Sequence, residues 1–175
     1  MAVSDPWIEC FFVGALQMRC SVVSDRSTGD TVIIDGGSEP ERLIAWIDRF
    51  EGRGPDWSNG PDSSMTAREQ GLPERKVVAL VNTHAHFDHS GHIPDLLRHY
   101  PVKWYLHPDD TYLQTLAQSS ARRWRFDAPA PAVADEALCL NPLWALVRWN
   151  FIFFTRQAIP LEAVASTCWL RTGRT

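Results

Sequence analysis

Four of the chain's six histidines fall within nine residues, inside the stretch VALVNTHAHFDHSGH from Val78 to His92, and Asp88 stands among them. His84 and His86 are two apart. In an extended chain their imidazoles project to the same side and can share one metal ion. Asp88 and His89 follow on a tighter turn and are expected to point elsewhere, where they can serve a second ion. Imidazole and carboxylate together suit zinc, and iron or manganese also fit such donors. An ion with an open position lowers the pKa of a bound water and polarises a substrate carbonyl. Asp88 can also act catalytically by accepting a proton from that water. A lone histidine would read as a core or surface residue, but four at this spacing after an apolar strand read as a metal site.

The other candidates each have two readings. His92 is either a fifth ligand or an ordinary residue at a helix start. Asp35 is either a carboxylate that orients a ligand from behind or a turn-former before Gly36 and Gly37. His99 and His107 have no partner at ligand spacing and read as structural.

The elements that must position these residues alternate in type. WIECFFVGALQMRCSVVSD reads as two short strands around a turn. TVIIDGG is a β-branched run ending on Asp35 and two glycines, a buried strand leaving into a loop. SEPERLIAWIDRF reads as a helix, with Ser38 and Glu41 as a capping box and Pro40 in the first turn. Leu43, Ile44, Trp46, Ile47 and Phe50 make its apolar stripe. Residues 51–75, rich in Gly, Pro, Ser and Asp, read as a surface loop or insertion. KVVALVNTH is a second buried strand that runs straight into the histidines. HIPDLLRHY reads as a helix, VKWYLH as a strand and PDDTYLQTLAQ as another helix. Such alternation points to a layered α/β fold.

Composition narrows the function. With 175 residues the chain can form one modest domain. Its net charge of -4 argues against a general nucleic-acid partner. Four cysteines without C-x-x-C spacing suggest a reducing, cytoplasmic setting rather than a disulfide framework. No secretory leader or membrane-spanning run is visible. The oligomeric state is left open.

The H-x-H-x-D-H signature at His84, His86, Asp88 and His89 resembles that of the metallo-β-lactamase superfamily. TVIIDGG is similar to that family's strand ending in Asp-x-Gly, and VKWYLHPDD to its next strand and turn. The resemblance spans roughly residues 8–118, closer to glyoxalase II-like thioester hydrolases than to true lactamases. It implies an αββα sandwich and a metal-bound hydroxide that attacks an ester, thioester, amide or phosphoester. It also implies three later ligands: a histidine in a T-P-G-H-type loop, a bridging aspartate and a final histidine. Here the sequence departs from the family, because His107 is its last histidine and Asp135 its last aspartate.

Residues 1–135 therefore read as the N-terminal half of such a domain, and residues 136–175 as an atypical tail. From Cys139 onward the tail has no Asp, no His, one Glu and three of the eight tryptophans. It reads as a hydrophobic β segment or partner surface, or as a stretch out of frame. For Phe153 to Ala163, codons started at the third base of each written codon permit L-H-T-P-G-H-S-P-G-S, ten consecutive matches to the missing ligand loop. A one-base deletion, a two-base insertion or an altered splice junction between about Ala128 and Arg148 would produce this. A chain so altered would lack half its sandwich, fold marginally and hold metal weakly, since zinc sites use at least about three protein ligands.

Three functions follow. The first is a zinc-dependent hydrolase of a small thioester or ester. The second is a truncated, non-catalytic metal-binding fragment or isoform of the same lineage. The third, a nuclease of the superfamily, is disfavoured by the acidic balance.

Overall fold

The computed structural model describes residues 7–48 and 73–138. Most of the expected loop at 51–75, the position of Phe50 and the tail from Cys139 lie outside the described residues.

The first hairpin forms as its alternating pattern demands. Strands β1 (Trp7–Val13) and β2 (Met18–Ser24) pair antiparallel, with Val13 opposite Met18. The turn between them uses positive φ at Gly14 (69°) and Gln17 (53°). Strand β3 (Asp30–Ile34) pairs antiparallel with β2. The chain then leaves through helix α1 (Pro40–Ile47) and returns as β4 (Lys76–Val81), parallel to β3. Helices α2 (Phe87–Ser90) and α3 (Ile93–His99) lead to β5 (Lys103–Leu106), parallel to β4. A 3₁₀ turn at Pro108–Asp110 and helix α4 (Thr111–Arg123) lead to the short β6 (Glu136–Ala137). The sheet order is β1-β2-β3-β4-β5-β6, a mixed α/β sheet.

One face of this sheet carries the core. Phe11, Val13, Cys20, Val22, Ile33, Leu80, Trp104 and Leu106 pack with Leu43, Trp46 and Ile47 of α1 and Ile93 and Leu96 of α3. Full burial of each such large side chain stabilises by about 1.5–3 kcal/mol. On the opposite face of β1, Ile8 and Phe12 stay 42% and 45% exposed. Beneath α1, Glu9 and Arg75 form a buried ion pair, with the guanidinium 4.0 Å from the Trp7 ring centroid.

The start of α1 corrects the capping-box expectation. Its N-cap is Glu39, left-handed at φ 48°, with no side-chain cap. Ser38 instead donates its hydroxyl to the Asp88 carbonyl at 3.1 Å. The Glu39 carboxylate is used elsewhere, accepting from the Gly14 amide at 2.9 Å and from Arg42 at 2.7 Å. With its hydroxyl committed to Asp88 and Glu39 at the N-cap position, Ser38 makes no box with Glu41.

Candidate metal centre

Parallel pairing brings the carboxyl ends of β3 and β4 side by side, with Ile34 opposite Val81. Open α/β sheets bind ligands beyond such strand ends. Asp35 leaves β3 there. Its amide donates to the Val81 carbonyl at 2.9 Å, and its φ of 56° turns the chain.

Asp35 takes the turn-forming role read from the sequence. It turns the chain, and its buried carboxylate accepts from Asn82 Nδ2 (3.1 Å), the Thr83 amide (2.9 Å) and Thr83 Oγ1 (2.7 Å). The Thr83 hydroxyl proton is thus committed to Asp35. The contact of Thr83 Oγ1 with His84 Nδ1 at 3.0 Å then requires the proton on Nδ1, which leaves the ring's lone pair on Nε2. That tautomer is the one a metal ligand presenting Nε2 needs.

Asn82 and Trp104 extend this network. Asn82 is fully buried. Its amide donates to Asp35 and to the His89 carbonyl at 2.6 Å, and its Oδ1 accepts from Trp104 Nε1 at 2.9 Å. Neither residue was singled out in the sequence. The available signal was a polar asparagine ending an apolar strand, VNTH, where an unpartnered amide would be costly.

The histidines converge more than their spacing suggests. The His84 and His86 rings lie 4.7 Å apart, nearly perpendicular, on the shared side expected of them. His89 lies even nearer to His84, at 3.9 Å between ring centroids. The expectation that His89 points elsewhere is corrected here. His86 is the N-cap of α2, and its carbonyl accepts from the amides of His89 and Ser90, both at 2.9 Å. This single helical turn swings His89 back over the strand end. Its Nδ1 is buried without a hydrogen bond, 3.3 Å from Asp35 Oδ2, and its Nε2 lies 3.6 Å from Asp88 Oδ2. The turn also needs space: a Cβ on Gly37 would overlap the backbone of His89 and Ser90.

The donors suit a metal ion in kind. His84 and His86 offer one pair of donors, Asp88 and His89 another. In arrangement they fall short, because among the described residues no group of three or more His, Cys, Asp or Glu is placed to hold an ion. The four side chains gather as candidate donors, and the described residues alone do not close a site around an ion.

The remaining histidines stand apart. His92 caps the start of α3, with Nδ1 at 2.7 Å from Asp95 Oδ2 and Nε2 at 3.1 Å from the Asp127 carbonyl. Both ring nitrogens are engaged away from the cluster, so His92 takes the helix-start reading. His99 pairs with Asp48 at 2.5 Å, and His107 Nδ1 accepts from the Asp109 amide at 3.3 Å. Burial pushes the Cys20 thiol well above its usual range, with the nearby Asp35 and Cys10 adding to the effect. It is no candidate nucleophile. No helix among the described residues is long and apolar enough to cross a membrane.

Known proteins resemble this chain in sequence and in fold. An uncharacterized protein of Aquifex aeolicus (strain VF5) is 31% identical over 101 residues, 58% of this chain and 36% of that protein. Among solved structures, TTHA1623 in a di-iron-bound form is similar at 29% identity and a TM-score of 0.54, covering 74% of this chain and 53% of the other. The BLEG-1 B3 metallo-β-lactamase shares the fold at 22% identity and a TM-score of 0.56, covering 78% and 55%. The chain thus spans about a third to a half of the length of these relatives. A model of the metallo-β-lactamase superfamily matches residues 13–156, most of the sequence, and the chain belongs to that superfamily.

Proposed function

We propose that the lineage of this chain is a metal-dependent hydrolase, glyoxalase II-like, acting on a small ester or thioester. The observation that carries the reading is the convergence of His84, His86 and His89, with Asp88, just beyond the carboxyl ends of β3 and β4. His84 and His86 would hold one ion and Asp88 and His89 a second. Zinc is the first expectation. Iron and manganese suit the same donors, and a similar structure carries two irons. When bound, the metal supplies a water of lowered pKa and positive charge for a developing oxyanion. The chain's own contribution is orientation. Asp35 and Thr83 fix the His84 tautomer, Asn82 holds the His89 backbone, and Asp88 stands ready to accept a proton.

A second reading concerns this chain alone: a non-catalytic, metal-binding product of that lineage. It is favoured by a donor cluster that the described residues alone do not close around an ion and by residues 136–175, which contain neither histidine nor aspartate. One experiment separates the two. Purified chain is loaded with zinc, iron or manganese and given a glutathione thioester, a β-lactam and a phosphodiester. Metal-dependent turnover of the thioester alone supports the hydrolase reading for this chain. Turnover of the phosphodiester would overturn it in favour of a nuclease. No turnover, with metal bound only weakly, supports the second reading.

A further inference from the structure

His92 is the histidine of the motif region that the metal donors leave unused, and its contacts lead to a pocket. Its Nε2 contact with the Asp127 carbonyl ties the start of α3 to the segment that follows α4, while its Nδ1 contact with Asp95 Oδ2 fixes the ring on α3 itself. That segment turns at Arg125, φ 63°, and is held further by the Phe126 amide to the Ala121 carbonyl (2.9 Å) and by Gln118 Nε2 to the Ala128 carbonyl (3.0 Å). Phe126 thereby stacks on Phe87, with ring centroids 5.8 Å apart at 29°. Phe87 immediately precedes Asp88 in the chain. The two rings, Leu16 at the hairpin tip and Ala128 wall a pocket of about 140 Å³ that also touches Asp88 and Asp127.

We propose that this pocket receives a neutral, apolar acyl group, about the size of a phenyl ring, attached to the scissile carbonyl. The inference rests on the hydrolase reading for the word substrate, though not for the pocket's affinity. Three observations support it. The volume suits the group, since an apolar protein cavity of about 150 Å³ binds benzene. The position suits it, because Asp88 borders the pocket and a group lodged there lies next to the donor cluster. The charge suits it, because the acidic residues Asp88 and Asp127 are both among those lining the pocket, which disfavours an anionic group. The hydrogen-bonded wall is set before any ligand arrives, which lowers the entropic cost of binding. His92 is in this account a positioning residue for the wall.

The test uses benzamide, acetamide and benzoate as probes of the full chain, followed through the NMR methyl signals of Ala15, Leu16 and Ala128. Benzamide should bind at least about 10-fold more tightly than acetamide, the discrimination an apolar pocket offers for added apolar surface. Benzoate should bind more weakly than benzamide. Phe126→Ala and Leu16→Ala should each shrink the benzamide preference while leaving acetamide unchanged. Leu16 is 46% exposed, so its truncation leaves the fold intact. Absence of saturable shifts, or a preference that survives both substitutions, overturns the proposal. The probes need neither metal nor turnover. Benzamide binding by a chain that turns over no thioester when loaded with metal would therefore retain the pocket and sink the hydrolase reading; thioester hydrolysis without a benzamide preference would do the reverse.

Discussion

Replacing Asn82 with leucine should be among the most damaging single changes that leave every metal donor in place. The asparagine is fully buried and makes three hydrogen bonds, to Asp35 Oδ1, to the His89 carbonyl and from Trp104 Nε1. Asp35 keeps its two bonds from Thr83 in the variant. The His89 carbonyl and the Trp104 indole N–H each lose a partner, and Trp104 is itself 1% exposed. An orphaned buried polar group costs about 1–3 kcal/mol, so the pair costs about 2–6 kcal/mol. Leucine's apolar burial offsets about 1–2 kcal/mol of this. A net loss of about 1–4 kcal/mol is a large share of a typical stability of about 5–15 kcal/mol. Urea unfolding followed by tryptophan fluorescence measures it, with the slope of the transition unchanged. A double-mutant cycle sharpens the test, because Trp104→Phe removes the orphaned donor. In the Asn82→Leu background it should cost about 1 kcal/mol less than in the parent chain, within the usual range for coupled neighbours. A loss below about 0.5 kcal/mol with no coupling to Trp104 would show that Asn82 does not hold this corner, and the network argument would fail.

Other expectations test neighbouring parts of the same account. Burial raises the Glu39 pKa, but the Gly14 amide and Arg42 outweigh it and hold the carboxyl below its ordinary value. A carboxylate depressed in the folded state stabilises above its unfolded pKa, and that contribution is lost as pH falls through the folded value. The stability gap between the parent and Glu39→Gln should therefore be present near neutrality and close below about pH 4, as read by thermal melts across pH. Gly37→Ala should destabilise by about 1–3 kcal/mol or more, since the new Cβ meets the His89 and Ser90 backbone, and should weaken metal binding too; a stable variant with parental zinc affinity would refute the packing argument. Zinc titration against a chromophoric chelator should find less than two tight ions per chain, weakened further by His84→Ala; two tight ions would show that the donor pairs are completed by residues outside those described. Finally, the coding DNA across Ala128 to Arg148 should carry the frame change inferred for the tail. A shifted frame that does not encode T-P-G-H ends that idea.

The fold was legible where periodicity and punctuation agreed. β1 and β2 announce themselves by alternation around Gly14, and β3 and β4 by β-branched runs that stop at polar residues. The helix around Leu43 and Trp46 was visible from its stripe, but its first residue was not. Ser38 and Glu41 stand at capping-box spacing, and local spacing carries no record of a hydrogen-bonding competitor distant in the chain. The Asp88 carbonyl takes the Ser38 hydroxyl from fifty residues away, and the Gly14 amide takes the Glu39 carboxylate from twenty-five. Tertiary partners override a local cap whenever they offer the same side chain a better-placed group.

The site was legible in its donors and illegible in its geometry, for a related reason. His84, His86, Asp88 and His89 fall within six residues, and their types name the candidate chemistry. Where they point depends on whether the chain stays extended after His86 or turns. The turn requires an acceptor at the His86 carbonyl and room beside Gly37, and only packing supplies the second. The same holds for His92, whose partner Asp127 lies thirty-five residues on. A motif therefore fixes which atoms can act. The strand ends, one glycine and one buried asparagine fix where those atoms meet. In this chain those supporting residues are all within the described fold. Its strand ends, Asp35 hub and His89 turn gather four candidate donors in one place, and on the proposed reading activity turns on whether further donors reach them.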